Sequence, residues 1–248
     1  MSAADHEAAE DLATAAGQLL LQLREELTEE NATELRKRGD AASHDALMEA
    51  LAQRFPEDAV LSEEGKDDRA RLDAVRCWIV DPLDGTREFG ELGRSDWAVH
   101  VALVEQGEPV AGAVALPGLG RTLATASPPP VGPSAQRVRL VVSRTRPPEV
   151  TGMLASALDA ELVPMGSAGA KAMAVLRGEA DVYAHAGGQY EWDSAAPVAV
   201  AQAAGLHCSR LDGSTLEYNR NENPWLPDLL ICRQELAERV LDVVGQAS

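Results

Sequence analysis

The stretch WIVDPLDGT, residues 78–86, decides the fold. An apolar strand is predicted over Arg76–Val80, and Asp81 follows it directly. The next residue is a proline, which cannot continue a ladder, and Gly85 permits a tight turn. Asp81 and Asp84 are therefore held close on a stiff loop, where like charges raise each other's pKa. A bound Mg²⁺ relieves that repulsion and prefers carboxylate oxygens. A simple surface turn is the alternative, since Asp, Pro and Gly favour turns.

Two further acidic segments lie at predicted element ends. Glu63 follows a short apolar strand, Ala59–Leu61, and Asp193 stands where a helix should begin. As an isolated residue, Asp193 is better explained as a helix N-cap. Three segments that end in carboxylates are better explained by a shared cation. The predicted cluster consists of Glu63, Asp81, Asp84 and Asp193.

The bulk composition limits the partners. The chain has 248 residues, 45% of them hydrophobic, which suits one large domain or two small ones sharing a core. Its formal net charge of −18 disfavours binding to nucleic acid polymers and to anionic membranes. Three cysteines without CxxC spacing argue against a disulfide framework and a zinc site and fit a reducing cytoplasm. We find no signal peptide and no membrane span.

Hydrophobic periodicity predicts a layered α/β fold in two halves. The proline-rich stretch 127–136 is a predicted linker between an N-terminal α+β half, 1–126, and a C-terminal α/β half, 137–248, which together form one catalytic unit. In the second half strands alternate with helices. The predicted helices are 5–27, 41–55, 147–158, 167–177, 193–204 and 234–244. The predicted strands are 59–61, 76–80, 97–104, 109–116, 121–124, 138–142, 162–164, 181–184, 206–208 and 229–232.

The acidic segments LSEE, DPLDGT and WDSAAP resemble, in order and spacing, the metal-binding signatures of the inositol monophosphatase superfamily. That resemblance covers nearly the whole chain and implies an αβαβα sandwich and a magnesium-dependent phosphomonoesterase with two or three Mg²⁺ ions. By resemblance, the first ion is bound by Glu63, Asp81 and the carbonyl of Leu83. The second is bound by Asp81, Asp84 and Asp193.

The resemblance also implies catalytic roles. Thr86, with an acidic partner, is expected to orient the attacking water. Glu63 is also counted as catalytic and is expected to help hold a weaker third ion. The backbone N–H groups of Gly85 and Thr86 are expected to bind the phosphate. Asp40 corresponds to an upstream aspartate linked to water activation, although its context here is KRGD instead of TxxD. The alternative for Asp40 is the N-cap of a helix that starts at Ala41.

Within the superfamily, three segments resemble CysQ-type 3′-phosphoadenosine 5′-phosphate (PAP) phosphatases. They are DGTREF at 84–89, VVSRTR at 141–146 and GSAGAK at 166–171. The resemblance implies release of the 3′-phosphate of PAP, inhibition by lithium and a possible homodimer. PAPS, inositol phosphates and fructose 1,6-bisphosphate are alternative substrates, and an inactive nucleotide- or metal-binding regulator is the alternative of another class. The implied substrate contacts are Gly85, Thr86, Arg87, Ser143, Arg144, Ser167, Lys171, His185 and Asp193.

Each of these contacts has a structural alternative. Ser167 also suits a helix cap, and Lys171 suits a solvated helix face. Arg144 and Arg146 also fit loop charges, and Arg87 also fits a surface ion pair with the neighbouring glutamate. Two positions depart from the family pattern: Arg146 stands where histidine is common, and His185 stands where some PAP phosphatases carry arginine.

Overall fold

A computed structural model describes residues 2–28 and 31–246. Its first sheet has five strands in the order β1-β2-β3-β4-β5, with β1 parallel to β2 and the other neighbours antiparallel. Gln106 and Gly107 both adopt positive φ and form the tight turn of the predicted hairpin between β3 and β4. The strands are β1 (Ala59–Ser62), β2 (Arg76–Asp84), β3 (Ala98–Glu105), β4 (Glu108–Leu116) and β5 (Arg121–Ala124).

Two long helices cover the outer face of this sheet. They are α1 (Ala3–Arg24) and α2 (Ala32–Arg54), and α1 buries a small-residue face that includes Ala9, Ala13 and Ala16. A single helical turn, α3 (Thr86–Phe89), follows β2. No helix in the ranges 2–28 and 31–246 is long and apolar enough to cross a membrane.

The second sheet also has five strands, in the order β7-β6-β8-β10-β9. Its strands are β6 (Arg139–Ser143), β7 (Glu161–Met165), β8 (Val182–Tyr190), β9 (His207–Ser209) and β10 (Trp225–Cys232). The helices of this half are α4 (Glu149–Leu158), α5 (Ala168–Leu176), α6 (Ala195–Ala203) and α7 (Ala237–Gly245).

The helices and sheets form five layers. Helices α5 and α6 lie between the two sheets and bury alanine, valine and methionine side chains against both of them. Helices α4 and α7 cover the outer face of the second sheet. The layered α/β class and the αβαβα order expected from the sequence are therefore confirmed. The stretch 127–136 contains neither helix nor strand, and Gly132 hydrogen-bonds to Leu176 and Arg233.

The boundary of α2 differs from its prediction. The helix begins at Ala32, well before Ala41, so Asp40 lies in a helix interior and is no N-cap. The stretch KRGD does not indicate a helix in the sequence, because glycine is unfavourable in a helix interior. A Cβ on Gly39 would lie 2.9 Å from Cε1 of Phe89, so glycine is needed where α2 crosses α3.

The strand β2 and the helix α6 also differ from prediction. Strand β2 continues to Asp84, with its register shifted between Asp81 and Asp84, so Pro82 lies in the irregularity and not in a regular ladder. Helix α6 begins at Ala195 after a 3-10 turn, Glu191–Asp193. Asp193 is consequently not the N-cap of α6.

All three cysteines are free thiols. Cys77 and Cys232 are buried, and burial raises the pKa of each thiol to about 12. Burial also raises the pKa of the half-buried Cys208. The prediction that the chain has no disulfide framework agrees with this arrangement.

Candidate active site

Three carboxylates from both halves of the chain converge between the sheets. Asp81 and Asp84 come from β2, and Asp193 comes from the turn before α6. One oxygen of each lies within 4.8 Å of the others. The carboxyl group of Glu63, which follows β1, contacts that of Asp81. The structure therefore brings together the four residues of the predicted cluster.

Burial makes this cluster electrostatically costly without a cation. Desolvation, with the neighbouring carboxylates, raises the pKa of Asp81 well above its usual value. Desolvation is also the main cause that raises the pKa of Glu63 to about 7 and that of Asp193 to about 6. Four hard oxygen donors that repel one another match the ligand set of a divalent cation such as Mg²⁺. The residues present thus fit the metal site that the sequence predicts.

Asp84 differs from its neighbours because protein donors surround it. Its oxygens accept hydrogen bonds from the backbone N–H groups of Ala168 (3.1 Å) and Gly169 (2.7 Å) at the start of α5. The Ser167 hydroxyl donates a very short hydrogen bond to the same carboxylate. Burial opposes ionisation of Asp84, but His100, Ser167 and Lys171 outweigh it and lower its pKa.

His100 is a site residue that the sequence analysis missed. Its Nε2 lies 3.2 Å from Oδ2 of Asp84, and its Nδ1 lies 2.9 Å from the carbonyl oxygen of Trp192. Burial lowers the pKa of His100, but the charge of Asp84 more than compensates and raises it. A Cβ on Gly169 would lie 2.0 Å from Nε2, so that glycine makes room for the ring. The signal available in the sequence was a single histidine among the apolar residues 97–104.

Helix α2 holds the end of β2 and the start of α3. The Thr86 hydroxyl lies 3.3 Å from Oδ1 of Asp40 and 3.1 Å from the carbonyl oxygen of Leu83. The Ser43 hydroxyl donates to the carbonyl of Pro82 at 2.7 Å. Burial, with the charge of Glu64, raises the pKa of Asp40 to about 6. The structure therefore places Asp40 beside Thr86.

A cavity of about 630 Å³ opens next to the acidic cluster. Lys171 is buried in its wall, with Nζ 2.8 Å from the carbonyl oxygen of Ser167 and 5.3 Å from the centre of the Tyr183 ring. The alternative of a solvated Lys171 is therefore wrong. Ser167 caps α5, as its alternative proposed, and also binds Asp84. The lining residues are Asp84, Ser143, Arg146, Ser167, Ala168, Lys171, Tyr183, His185, Ala186, Gly187, Gly188, Gln189, Tyr190, Asp193 and Trp225.

The predicted arginine contacts do not all reach this cavity. Arg144 is outside the lining, because its guanidinium pairs with Glu88 (2.6 Å) and Glu91 (2.7 Å). The predicted ion pair between Arg87 and Glu88 is therefore wrong. Arg87, Gly85 and Thr86 lie outside the lining as well. Arg146 lines the cavity, and its guanidinium pairs with no carboxylate in the described ranges 2–28 and 31–246.

The family model of the inositol monophosphatase family matches residues 2–247. The chain belongs to the inositol monophosphatase family. It is 49% identical to a 3′-phosphoadenosine 5′-phosphate phosphatase of Mycobacterium leprae over 96% of this chain and 92% of that protein. It is 34% identical to the 3′(2′),5′-bisphosphate nucleotidase CysQ of Salmonella typhimurium, over 74% and 79% of the two chains. The crystal structure of CysQ from Bacteroides thetaiotaomicron, a family member, superposes with a TM-score of 0.78 at 28% identity and covers 93% of this chain and 97% of that one.

These relatives confirm the family and the phosphatase class that the acidic segments predicted. Inositol monophosphatase family phosphatases depend on metal ions, and the acidic cluster of this chain agrees with that dependence. The roles of the individual residues remain predictions.

Proposed function

We propose that the protein is a magnesium-dependent phosphatase that removes the 3′-phosphate of PAP and yields AMP and inorganic phosphate. The observation that carries the proposal is the buried acidic cluster, which opens onto a cavity with two cations, Lys171 and Arg146, in its wall. The printed activities of the relatives from Mycobacterium leprae and Salmonella typhimurium support the nucleotide substrate.

The metal ligands we propose are Glu63, Asp81, the carbonyl of Leu83, Asp84 and Asp193. Bound Mg²⁺ would polarise the phosphate, lower the pKa of a water molecule and neutralise the leaving oxygen. The chain holds three of these carboxylates, those of Asp81, Asp84 and Asp193, with backbone N–H groups. For example, the N–H of Leu83 donates to Asp81 at 3.0 Å, and that of Tyr190 donates to Asp193 at 2.7 Å.

Asp40 and Thr86 orient the attacking water in this proposal. When the Thr86 hydroxyl donates to Asp40, the lone pairs of its oxygen are free to accept a hydrogen bond from water. Asp40, whose pKa is raised by burial to about 6, is mostly ionised at neutral pH and is suited to accept a proton there. Positioning of this kind supplies much of the rate in phosphoryl transfer.

The second phosphate of the substrate requires positive charge in a strongly acidic protein. Lys171 carries a buried cation, although burial lowers its pKa and the charges of Asp84 and Asp193 only partly offset that effect. Arg146 is exposed at the cavity wall, and a guanidinium can bind phosphate through two parallel hydrogen bonds. We therefore assign to Arg146 the phosphate contact that the sequence pattern suggested for Arg144.

Phosphate release from PAP, PAPS, inositol 1-phosphate and fructose 1,6-bisphosphate, measured with Mg²⁺, tests the proposal. We expect the highest kcat/KM on PAP. A kcat/KM on inositol 1-phosphate that is tenfold higher would overturn the choice of substrate. Asp84→Asn should abolish release, because it removes one carboxylate of the cluster, while circular dichroism shows a folded chain. If the wild-type protein turns over no ester, the inactive regulator is favoured.

A further inference from the structure

Two half-exposed aromatic side chains stand at the rim of the cavity. Tyr190 is 41% exposed and Trp225 is 40% exposed, and both line the cavity beside the acidic cluster. They pair across β8 and β10, and their rings meet edge to face with centroids 5.0 Å apart. Tyr190 also stacks on Trp192 at 4.5 Å with an interplanar angle of 10°. The rim is thus a fixed aromatic surface at the cavity mouth.

The backbone is shaped to hold the indole there. Gly188 has φ +89, and a Cβ on it would lie 1.8 Å from Cζ2 of Trp225. The indole therefore occupies the space where a side chain at position 188 would stand. His185 stabilises this bend, because its Nε2 lies 2.9 Å from the carbonyl oxygen of Gly188.

An unsatisfied polar group lies beside the aromatic surface. Gln189 is only 6% exposed and lines the cavity. Its side-chain nitrogen has no hydrogen-bond partner within the described parts of the chain, 2–28 and 31–246. A buried donor without a partner costs free energy. The nitrogen has no surface open to the cavity, so an acceptor on a ligand bonds to it only once the amide turns toward the cavity.

We propose that Tyr190, Trp225 and Gln189 form the subsite for the nucleobase of the substrate. The inference rests on the proposed function, because the phosphate of the same molecule must lie at the acidic cluster. Every nucleobase has a flat face that stacks on an indole, and its ring nitrogens accept hydrogen bonds. Tyr190 is only three residues from Asp193 and donates its N–H to that carboxylate. The base subsite and the phosphate site are therefore contiguous.

The charge pattern of the cavity favours this occupant over a polyol phosphate. Lys171 and Arg146 supply cations for phosphate, whereas the rim formed by Tyr190 and Trp225 supplies only aromatic surface. A cavity of about 630 Å³ lies within the range typical of small-molecule sites. Inositol phosphate has no flat apolar part to cover the exposed indole.

Equilibrium binding of AMP and of ribose 5-phosphate, in magnesium buffer, tests the subsite. These ligands differ only in the base, so the ratio of their dissociation constants reports its contribution. We expect the wild-type protein to bind AMP about 5- to 150-fold more tightly, the range found for one stacked base. In Trp225→Leu the ratio should fall by about tenfold, and in Trp225→Phe it should fall less.

Two glycine variants separate stacking from damage to the fold. Gly188→Ala and Gly187→Ala both place alanine at positive φ, +89 and +95. Only the new Cβ at 188 meets the indole, since position 187 has nothing within 4 Å. Gly188→Ala should therefore lower the AMP preference, and Gly187→Ala should retain it.

Intrinsic fluorescence gives a readout independent of turnover. AMP should quench the emission of Trp225 in the wild-type protein, and Trp225→Leu should lose that change. The inference is overturned if the wild-type protein binds both ligands equally, or if Trp225→Leu keeps the AMP preference. If PAP is not hydrolysed but the preference for AMP depends on Trp225, the proposed function fails and the base subsite stands.

Discussion

Ser167 shows how one side chain can serve two elements. Its hydroxyl accepts the N–H of Ala170, which caps α5, and donates to Asp84 on β2. It holds these contacts at φ +54, a conformation that is costly for a residue other than glycine. Strain of this kind persists where surrounding contacts over-determine it, as they do here beside the acidic cluster.

Arg146 and Arg144 allow a matched test at the same scale. Arg146→Ala should lower kcat/KM on PAP by about tenfold or more, because it removes a charged hydrogen-bond partner of a phosphate. Arg144→Ala instead leaves Glu88 and Glu91 without their cation, so it should mainly lower stability. Steady-state kinetics and thermal melting of both variants check this. Equal kinetic losses in both would contradict the assignment.

The site residues that were predicted lie close together in short sequence segments, whereas those that were missed meet only in the folded chain. Asp81 and Asp84 belong to one short segment, so their proximity follows from the chain itself. His100 becomes a site residue only because β3 places it against Asp84, and Arg146 only because the loop after β6 lines the cavity. A single histidine in an apolar strand does not identify its partner, and no spacing rule relates it to Asp84.

At the scale of elements, the hardest features to predict were the ends of helices and strands that contain glycines in close contact with another element. Periodicity located all six helices longer than one turn in the part of the chain that the structure describes, but it placed the start of α2 at Ala41 instead of Ala32. It also ended β8 at Ala184, whereas the strand runs to Tyr190 through two glycines of positive φ. In both cases glycine weakens the local pattern because it serves a close approach to another element.

Two helical glycines should respond oppositely to alanine. Gly152 in α4 has nothing within 4 Å of a new Cβ, so Gly152→Ala should stabilise the protein by about 0.5–1 kcal/mol. Gly39 in α2 faces the buried ring of Phe89, so overpacking of about 1–3 kcal/mol should outweigh the gain in propensity. Urea unfolding measures both changes. A stabilising Gly39→Ala would show that α2 can shift away from Phe89.

Arg76 joins three elements through carboxylates and makes stability depend on pH. It pairs with Asp5 on α1 (2.8 Å), Asp58 before β1 (3.0 Å) and Glu105 on β3 (2.9 Å). The hydrogen bond from Arg76 lowers the pKa of Asp5 from 3.8 to about 2. A lowered pKa in the folded state stabilises the protein above the unfolded value, and this contribution disappears as pH falls from about 4 to about 2.

The variant Asp5→Asn should therefore lose up to about 2 kcal/mol of unfolding free energy at pH 7. Its difference from the wild-type protein should shrink below about pH 4. Denaturant melts across this range measure it. Asp11→Asn is the control, because Asp11 is 67% exposed and its pair with Arg54 is worth little. If both variants lose the same free energy, the assignment to Arg76 is wrong.

At the scale of the molecule, the acidic cluster combines residues from both sides of the stretch 127–136. Glu63, Asp81 and Asp84 precede the stretch 127–136, and Asp193 follows it. The core between the sheets likewise combines residues from both sides, such as Ile79 and Val198. The order of the five layers was predicted by family resemblance. Local periodicity contains no information about which sheet faces which helix, so it could not supply that order.

Mg²⁺ should consequently stabilise the whole fold. At a hundredfold excess over Kd, binding adds about 2.7 kcal/mol, which raises Tm by about 5–10 °C for a chain of this size. EDTA should reverse the rise, and Asp84→Asn should reduce it. NaCl at equal ionic strength is the control, because simple screening of the charge of −18 also stabilises. An identical rise with NaCl would mean that screening, not binding, causes it.

The cysteine thiols of the folded protein react poorly with electrophiles. A thiol must ionise to attack an electrophile, and the raised pKa values of Cys77, Cys208 and Cys232 keep all three protonated at neutral pH. Alkylating reagents therefore modify the fully buried Cys77 and Cys232 only when the chain opens. Cys77 on β2 and Cys232 on β10 lie in different sheets, so the order in which they are labelled distinguishes opening of one sheet from opening of the other. Cys77 and Cys232 thus report local unfolding of the first and the second sheet, respectively.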